Sequence, residues 1–138
     1  MTTTQKSAEL LGRILIAAMF IDAGVPKIGA FAATQAYMAS AGVPGALLPA
    51  VIALEVLGGI ALILGYRTRI VAMAMAAFTV LAALLFHGAP DQIQHILLMK
   101  NVAIAGGLLI LAARGAGSWS LDARNAGLAA PGDVLRNT

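Results

Sequence analysis

The sequence predicts an all-α membrane protein, a bundle of four transmembrane helices with a short interfacial helix between the first and the second. The chain is 60% hydrophobic and only 11% charged, and its mean hydropathy is +0.90, whereas about a quarter of the residues of a soluble domain are charged. The apolar residues form four long runs, separated by glycine, proline and charged residues. The length of 138 residues allows one transmembrane domain, covering 1–138, and no second domain.

The first predicted span covers about 8–28 and could be read as a signal peptide. Because Asp22 and Lys27 interrupt its apolar run and three further candidate spans follow, we expect a retained first helix. The segment that follows, about 30–42, is less apolar and has helical spacing, with Tyr37 suited to the headgroup level. We expect a short helix at the membrane surface here, before Gly and Pro residues break the chain.

The second predicted span covers about 46–64 and carries Glu55. The third, about 70–86, has no charged residue and is the clearest transmembrane helix. The fourth covers about 95–113, and 115–138 should form a partly ordered tail.

The basic residues predict an orientation. Most lysines and arginines fall on one side of a four-span arrangement, which the positive-inside rule places in the cytoplasm together with both termini. These residues are Lys6, Arg13, Arg67, Arg69, Arg114, Arg124 and Arg136.

Composition also excludes several functions. The chain has no cysteine, so thiolate catalysis, disulfide exchange and cysteine-ligated iron–sulfur clusters are ruled out. Its net charge of +3 is spread over the ends of the apolar runs rather than along a stripe, which argues against nucleic-acid binding. No phosphate-binding loop or zinc motif is present, and no metal site is expected.

Charged residues inside the predicted spans are the candidate functional residues, because such groups are costly in lipid and usually have partners. Counting about 1.5 Å per residue from the inner ends of the spans, Asp22 and Glu55 lie roughly 18 Å deep and Lys100 roughly 21 Å deep. We therefore expect Glu55 to pair with Lys100, in the outer half of the membrane. Lys27 and His87 lie further out, and Asn101 follows Lys100, so the polar residues should line a pocket that opens outward.

Two interpretations of the Glu55–Lys100 pair remain open: a structural ion pair that fixes the helix register, or a ligand or proton site. Asp22 lies on a different face of its helix from Arg13 and Lys27, so it contacts a second neighbouring helix, another subunit or the surface. His87 and His95 are expected to lie at the interface, around a helical hairpin. The glycine pairs 58–59 and 106–107 predict close packing of the second helix on the fourth.

These motifs, taken in order, resemble the DoxX family of small bacterial membrane proteins, from about residue 11 to 122. The matching pieces are Gly12-Arg13-Ile14-Leu15, Phe20, Ala23-Gly24, Lys27, Tyr37-Met38, Gly42-Val43-Pro44, Glu55, Gly58-Gly59, Gly65, Thr68-Arg69, Phe86-His87, Lys100-Asn101, Gly106-Gly107 and Ser120-Leu121-Asp122. The resemblance implies a four-helix bundle in the bacterial inner membrane and a role linked to quinol oxidation. Asp22 departs from the pattern, which usually has a small or hydroxyl residue there.

The resemblance leads to one main functional hypothesis, a small component of a quinone-linked redox system. Glu55, Lys100 and His87 would be its catalytic residues, with Glu55 exchanging protons and the other two bonding the quinone oxygens. Four further residues are expected to bind ligand: Arg13, Lys27, Asn101 and Asp22. Quinone would be a bound ligand rather than an intrinsic cofactor, and electrons would come from a redox-enzyme partner or a bound small molecule. The alternatives are a non-catalytic assembly factor or oligomeric scaffold and, third, small-molecule or proton transport.

Overall fold

The computed structural model describes residues 1–129 as helices joined by short connections, with no strand in that part of the chain. The last nine residues of the predicted tail, 130–138, lie outside the described residues. The helices are α1 (Thr3–Gly29), α2 (Phe31–Ser40), α3 (Leu48–Leu64, preceded by a 3-10 turn at Gly45–Leu47), α4 (Thr68–Phe86), α5 (Gln92–Arg114) and α6 (Leu121–Ala129).

Helix lengths and apolarity confirm the predicted membrane fold. The helical stretch Gly45–Leu64 and the helices α4 and α5 are each long and apolar enough to cross a bilayer. α1 and α2 meet the same criterion together and bend by 106° at their junction, which allows a fourth, broken span. α1 begins in a capping box between Thr2 and Gln5 and continues through Pro26.

The four long helices form a ring in the order α1, α3, α4, α5. α1 packs mainly on α3 and α4 mainly on α5, while α1 and α5 touch only lightly. α3 and α5 therefore lie diagonally across the bundle. The predicted glycine contact between them is wrong, because the glycines meet the adjacent helices: Gly58 faces Met75 of α4, and Gly107 faces Ile16 of α1.

The tightly packed core occupies the half of the bundle where α3 and α5 end, which we call the α6 end. Its small residues allow close helix contact and its larger ones fill the centre. The core residues are Ala17, Phe20, Leu62, Ala72, Met75, Ala76, Leu108 and Ala112. The opposite half, which we call the α2 end, holds the candidate site.

The predicted tail contains a feature that the sequence did not suggest. α6 forms at Leu121–Ala129 and is tied to the α3–α4 connection by the bond from the Asp122 N–H to the Gly65 carbonyl, 2.9 Å. Asp122 also accepts the N–H groups of Arg67 (2.7 Å) and Thr68 (2.9 Å) at the start of α4. This side chain therefore caps α4 from a distant part of the chain.

Candidate functional site

A cavity of about 500 Å³ lies at the α2 end of the bundle. We call it the central pocket. All four ring helices and α2 contribute to its walls, which are mostly aliphatic and aromatic. Its polar lining residues are Lys27, Thr34, Tyr37, Glu55, Thr79, His87, Lys100 and Asn101.

An ion pair between α1 and α3 is the most strongly bonded feature of the central pocket. Lys27 Nζ lies 2.8 Å from Glu55 Oε1 and 2.6 Å from Glu55 Oε2. Glu55 is only 5% exposed, whereas the Lys27 side chain is 26% exposed. The buried carboxylate is therefore neutralised by a cation that remains accessible on one side.

This pairing corrects the expectation that Lys100 is the partner of Glu55. α5, which carries Lys100, lies diagonally across the ring from α3, whereas α1 packs directly against it. Counted along the helices, the backbone of Lys27 lies nearer the α2 end than that of Glu55 does. Helical side chains lean toward the N-terminus of their helix, which brings the ammonium group of Lys27 back toward the level of Glu55. The long Lys27 side chain covers the difference in depth.

Gly24 makes this approach of α1 to α3 possible. A Cβ atom at this position would lie 2.9 Å from both Glu55 Cβ and Val56 Cγ2, closer than atoms normally pack. Lys27 follows one turn later, about 4.5 Å along the helix axis. The absence of a side chain at Gly24 thus sets the contact that brings Lys27 within bonding distance of Glu55.

Lys100 and Asn101 line the pocket from α5. Lys100 is exposed, and within residues 1–129 it forms no salt bridge. The nearest acid on its own helix boundary, Asp91, is nine residues away and accepts the Gln94 N–H at 2.9 Å. The pocket therefore contains one cation compensated by Glu55 and a second that has no acidic partner in the described chain.

His87 lies where α4 ends and lines the central pocket. Its Nδ1 is 2.8 Å from Gln94 Oε1 at the start of α5. With the amide oxygen facing Nδ1, the neutral ring carries its proton on Nδ1, and Nε2 is left as a hydrogen-bond acceptor. His95 is exposed on α5, and residues 1–129 contain no cluster of three or more metal-ligating side chains.

Arg13 does not line the central pocket, which corrects its placement among the ligand-binding residues. It is 1% exposed and lies at the α6 end, about 21 Å along α1 from Lys27. Its guanidinium donates to the carbonyls of Leu62 (3.1 Å) and Ile63 (3.0 Å) and to that of Trp119. These bonds satisfy the last carbonyls of α3, which have no partner within that helix.

Arg13 belongs to a set of residues that fastens the α6 end, which we call the clasp: Arg13, Gly65, Arg69 and Asp122. Arg69 caps the end of α5 by donating to the carbonyls of Ala112, Ala113 and Arg114. Gly65 has φ +67°, and a side chain there would collide with Ser120 and Arg13.

Asp122 is the clasp residue with a perturbed acidity. Burial raises the pKa of Asp122, but the two backbone N–H groups that it caps and the positive charge of Arg13 lower it by more. The net pKa of Asp122 therefore lies below its ordinary value. Its carboxylate is thus stabilised in the ionised form, as expected for a helix cap.

Asp22 also lies outside the pocket, contrary to its placement among the ligand-binding residues. It is exposed, and it sits on α1 opposite the buried stripe that contains Ala17 and Gly24. Its neighbours on that outer face, Leu15 and Val25, are exposed as well. The physical reason is helical phase: about five residues separate Asp22 from Ala17, which rotates it to the far side of the helix.

Comparison with known proteins gives the chain its relatives. The DoxX family model matches residues 8–88, more than half of the chain. The chain belongs to the DoxX family. It is 46% identical over 114 residues to the inner membrane protein YqjF of Escherichia coli K12, covering 82% of this chain and 88% of that protein.

A second relative, the inner membrane protein YphA of the same organism, is 39% identical over 123 residues, covering 83% of this chain and 88% of that protein. No solved structure matches the chain. Together with the apolar spans, the two relatives establish an integral inner-membrane protein of the DoxX family.

Some residues that shape the site of this DoxX-family protein have no charge to mark them in the sequence. Tyr37 of α2 stacks on Phe86 of α4 with ring centroids 5.3 Å apart, and both line the pocket. Thr79 is 3% exposed and bonds its own helix at the Met75 carbonyl, 2.7 Å. Tyr37 and Phe86 belong to the pieces that resemble the family, whereas the only sequence signal for Thr79 is a hydroxyl residue within an apolar run.

The arrangement can hold an amphipathic molecule. Pockets of roughly 300–1,000 Å³ with apolar walls and a few convergent polar groups are typical of small-molecule sites. Lys100 and Asn101 can donate hydrogen bonds, and His87 Nε2 can accept one. Glu55 can take up a proton if its bonds to Lys27 open.

Proposed function

We propose that this protein is the quinone-binding membrane component of a redox system, with the quinone ring held in the central pocket. The observation that supports this function is the combination of apolar walls with a small polar cluster in one cavity: Glu55, His87, Lys100 and Asn101. A ring oxygen can bond Lys100 or Asn101, a ring hydroxyl can bond His87 Nε2, and an apolar tail fits against the aliphatic walls. Electrons would be exchanged with a partner redox enzyme.

The orientation is part of the same proposal. Lys6, Arg67, Arg69 and Arg114 lie at or near the α6 end, which the positive-inside rule would place in the cytoplasm. The central pocket would then open in the outer half of the membrane. A cysteine introduced at the exposed Ser118 should be labelled only after the membrane is permeabilised, and labelling of intact cells would reverse the orientation.

Filling the pocket tests the proposed function directly. Ala82 lines the pocket on α4, while Ala74 is exposed on the same helix. The purified protein in nanodiscs should bind a decyl-chain quinone, as measured by isothermal titration calorimetry. Ala82→Phe should weaken that binding at least about tenfold, since a phenyl ring occupies space the ligand needs, whereas Ala74→Phe should bind as the wild type does. Absence of quinone binding to the wild type refutes the function.

A non-catalytic scaffold or assembly role is the second candidate, and one observation favours it. The Lys27–Glu55 pair joins two helices and leaves neither partner free. If the pair serves only to hold the bundle, the exchanged variant Lys27→Glu with Glu55→Lys should support wild-type growth of a strain that requires this protein. Loss of that complementation by a folded, membrane-inserted double variant argues for a functional carboxylate.

A further inference from the structure

The charges around the central pocket do not cancel. Its lining includes two lysines, Lys27 and Lys100, and a single carboxylate, Glu55. Lys27 and Glu55 are bonded to each other at both carboxylate oxygens. The uncompensated charge is therefore the ammonium group of Lys100.

No acid of the described chain is placed to compensate Lys100. Asp22 faces the opposite, outer side of α1, and Asp91 caps the start of α5. Glu55 is held by the adjacent helix rather than across the ring. Among residues 1–129, Lys100 forms no salt bridge.

The side chain of Lys100 lines the central pocket. Lys100 follows the start of α5 at Gln92 by eight residues, about 12 Å along the helix axis. That distance exceeds the length of an extended lysine side chain, so the ammonium group does not reach the level at which α5 begins. A lone cation at membrane depth is costly, and such groups usually pair with an opposite charge.

We propose that the central pocket selects an amphiphile whose headgroup carries one anionic oxygen, and that Lys100 is the residue that recognises this oxygen. The proposal rests on the same pocket as the proposed function and narrows its ligand. Two sources share this chemistry: a quinone with an acidic ring hydroxyl, and an acidic lipid such as a fatty acid. Asn101 and His87 then contact the neutral atoms of the headgroup.

Three probes separate charge from ring shape. An undecyl hydroxynaphthoquinone is anionic near neutral pH, its methyl ether has the same ring and tail without the charge, and dodecanoate has the charge without the ring. Affinities for the full-length protein in nanodiscs of neutral lipid would be measured by isothermal titration calorimetry. Because a charge-assisted hydrogen bond contributes about 1.5–3 kcal/mol, we expect the hydroxy compound to bind about tenfold or more tightly than the ether.

Substitution of Lys100 assigns the preference to one residue. Lys100→Met should bind the hydroxy compound and its ether with equal affinity, and Lys100→Arg, which keeps the charge, should retain the preference. Lys6→Met removes a lysine near the start of α1, far from the pocket, and should behave as the wild type does. If Lys100→Met does not fold, Lys100→Arg together with Lys100→Gln provides the same comparison.

The outcomes distinguish this proposal from the proposed function. Equal binding of the hydroxy compound and the ether by the wild type overturns the anion preference but does not contradict the proposed quinone site. Dodecanoate binding that depends on Lys100, without binding of either ring compound, supports the anion preference and overturns the quinone function. A preference that persists in Lys100→Met overturns the role of Lys100, and no binding of any probe overturns both proposals.

Discussion

Breaking the Lys27–Glu55 pair should destabilise the bundle strongly, and Lys27→Met is the informative change. It leaves the carboxylate of Glu55, which is 5% exposed, without its counter-ion. Removing one partner of a fully buried ion pair costs about 3–5 kcal/mol. Because the Lys27 side chain is 26% exposed and partly screened, we expect a loss of about 2–3 kcal/mol in the free energy of unfolding.

Unfolding in mixed micelles with an increasing mole fraction of SDS, followed by circular dichroism, measures this loss. Lys100→Met is the matched control, since it removes the same charge from the same pocket but breaks no salt bridge. Its free energy of unfolding should stay the same or rise, because the substitution removes a charge that has no partner at membrane depth. A double-mutant cycle with Glu55→Gln should show that the two substitutions at 27 and 55 are not additive.

The reverse ranking would refute the argument. If Lys100→Met unfolds early while Lys27→Met behaves as the wild type does, Glu55 is paired across the ring with α5 and the helix order described above is wrong. Additive effects of Lys27→Met and Glu55→Gln would show that the two side chains do not interact.

Three further predictions concern the glycines and the clasp. The pKa of Asp122 is depressed in the folded state, so its contribution to stability is present above the unfolded pKa, near 4, and is lost as the pH falls through the folded value. The difference in unfolding free energy between wild type and Asp122→Asn should therefore be largest at neutral pH and should shrink below about pH 4. A difference that does not change with pH would contradict the capping role. Gly65→Ala should cost at least about 1 kcal/mol in SDS unfolding, because φ is +67° and the new side chain meets the clasp. Gly24→Ala should destabilise the protein, since the added methyl group meets Glu55. At Gly106 an added methyl group meets nothing within 4 Å, so Gly106→Ala should be neutral or stabilising. Equal effects of the two substitutions in the same assay would exclude a close contact at Gly24.

The sequence predicted the helices and their membrane character well, since hydropathy over about 20 residues is a local property. It also predicted that Glu55 is buried and pairs with a cation. The predicted partner, Lys100, was wrong because the order of helices around a ring is not encoded in the depth of any residue. Depth places Asp22, Glu55 and Lys100 at one level, but only packing decides which of them share a face.

The α6 end shows a different limit of sequence reasoning. Asp122 and Arg124 give α6 the polar composition of a loop, and its helix is supported by contacts with Gly65, far away in the chain. The bonding partners of Arg13 are backbone carbonyls, which leave no trace in the sequence. A buried arginine that caps a helix and one that binds a ligand therefore look alike until the fold is known.

The division of the bundle into a packed half and a hollow half has a consequence for energy coupling. Leu62, Met75 and Leu108 are completely buried and close the centre of the α6 end, whereas Thr34, Tyr37 and His87 line the pocket at the α2 end. If Glu55 exchanges a proton with a bound quinone, as proposed, that proton would pass toward the α2 end. Turnover of a proton-carrying ligand in the pocket would therefore deposit or withdraw charge on a single side of the membrane. The side on which α2 lies would decide whether that chemistry adds to the transmembrane potential or dissipates it.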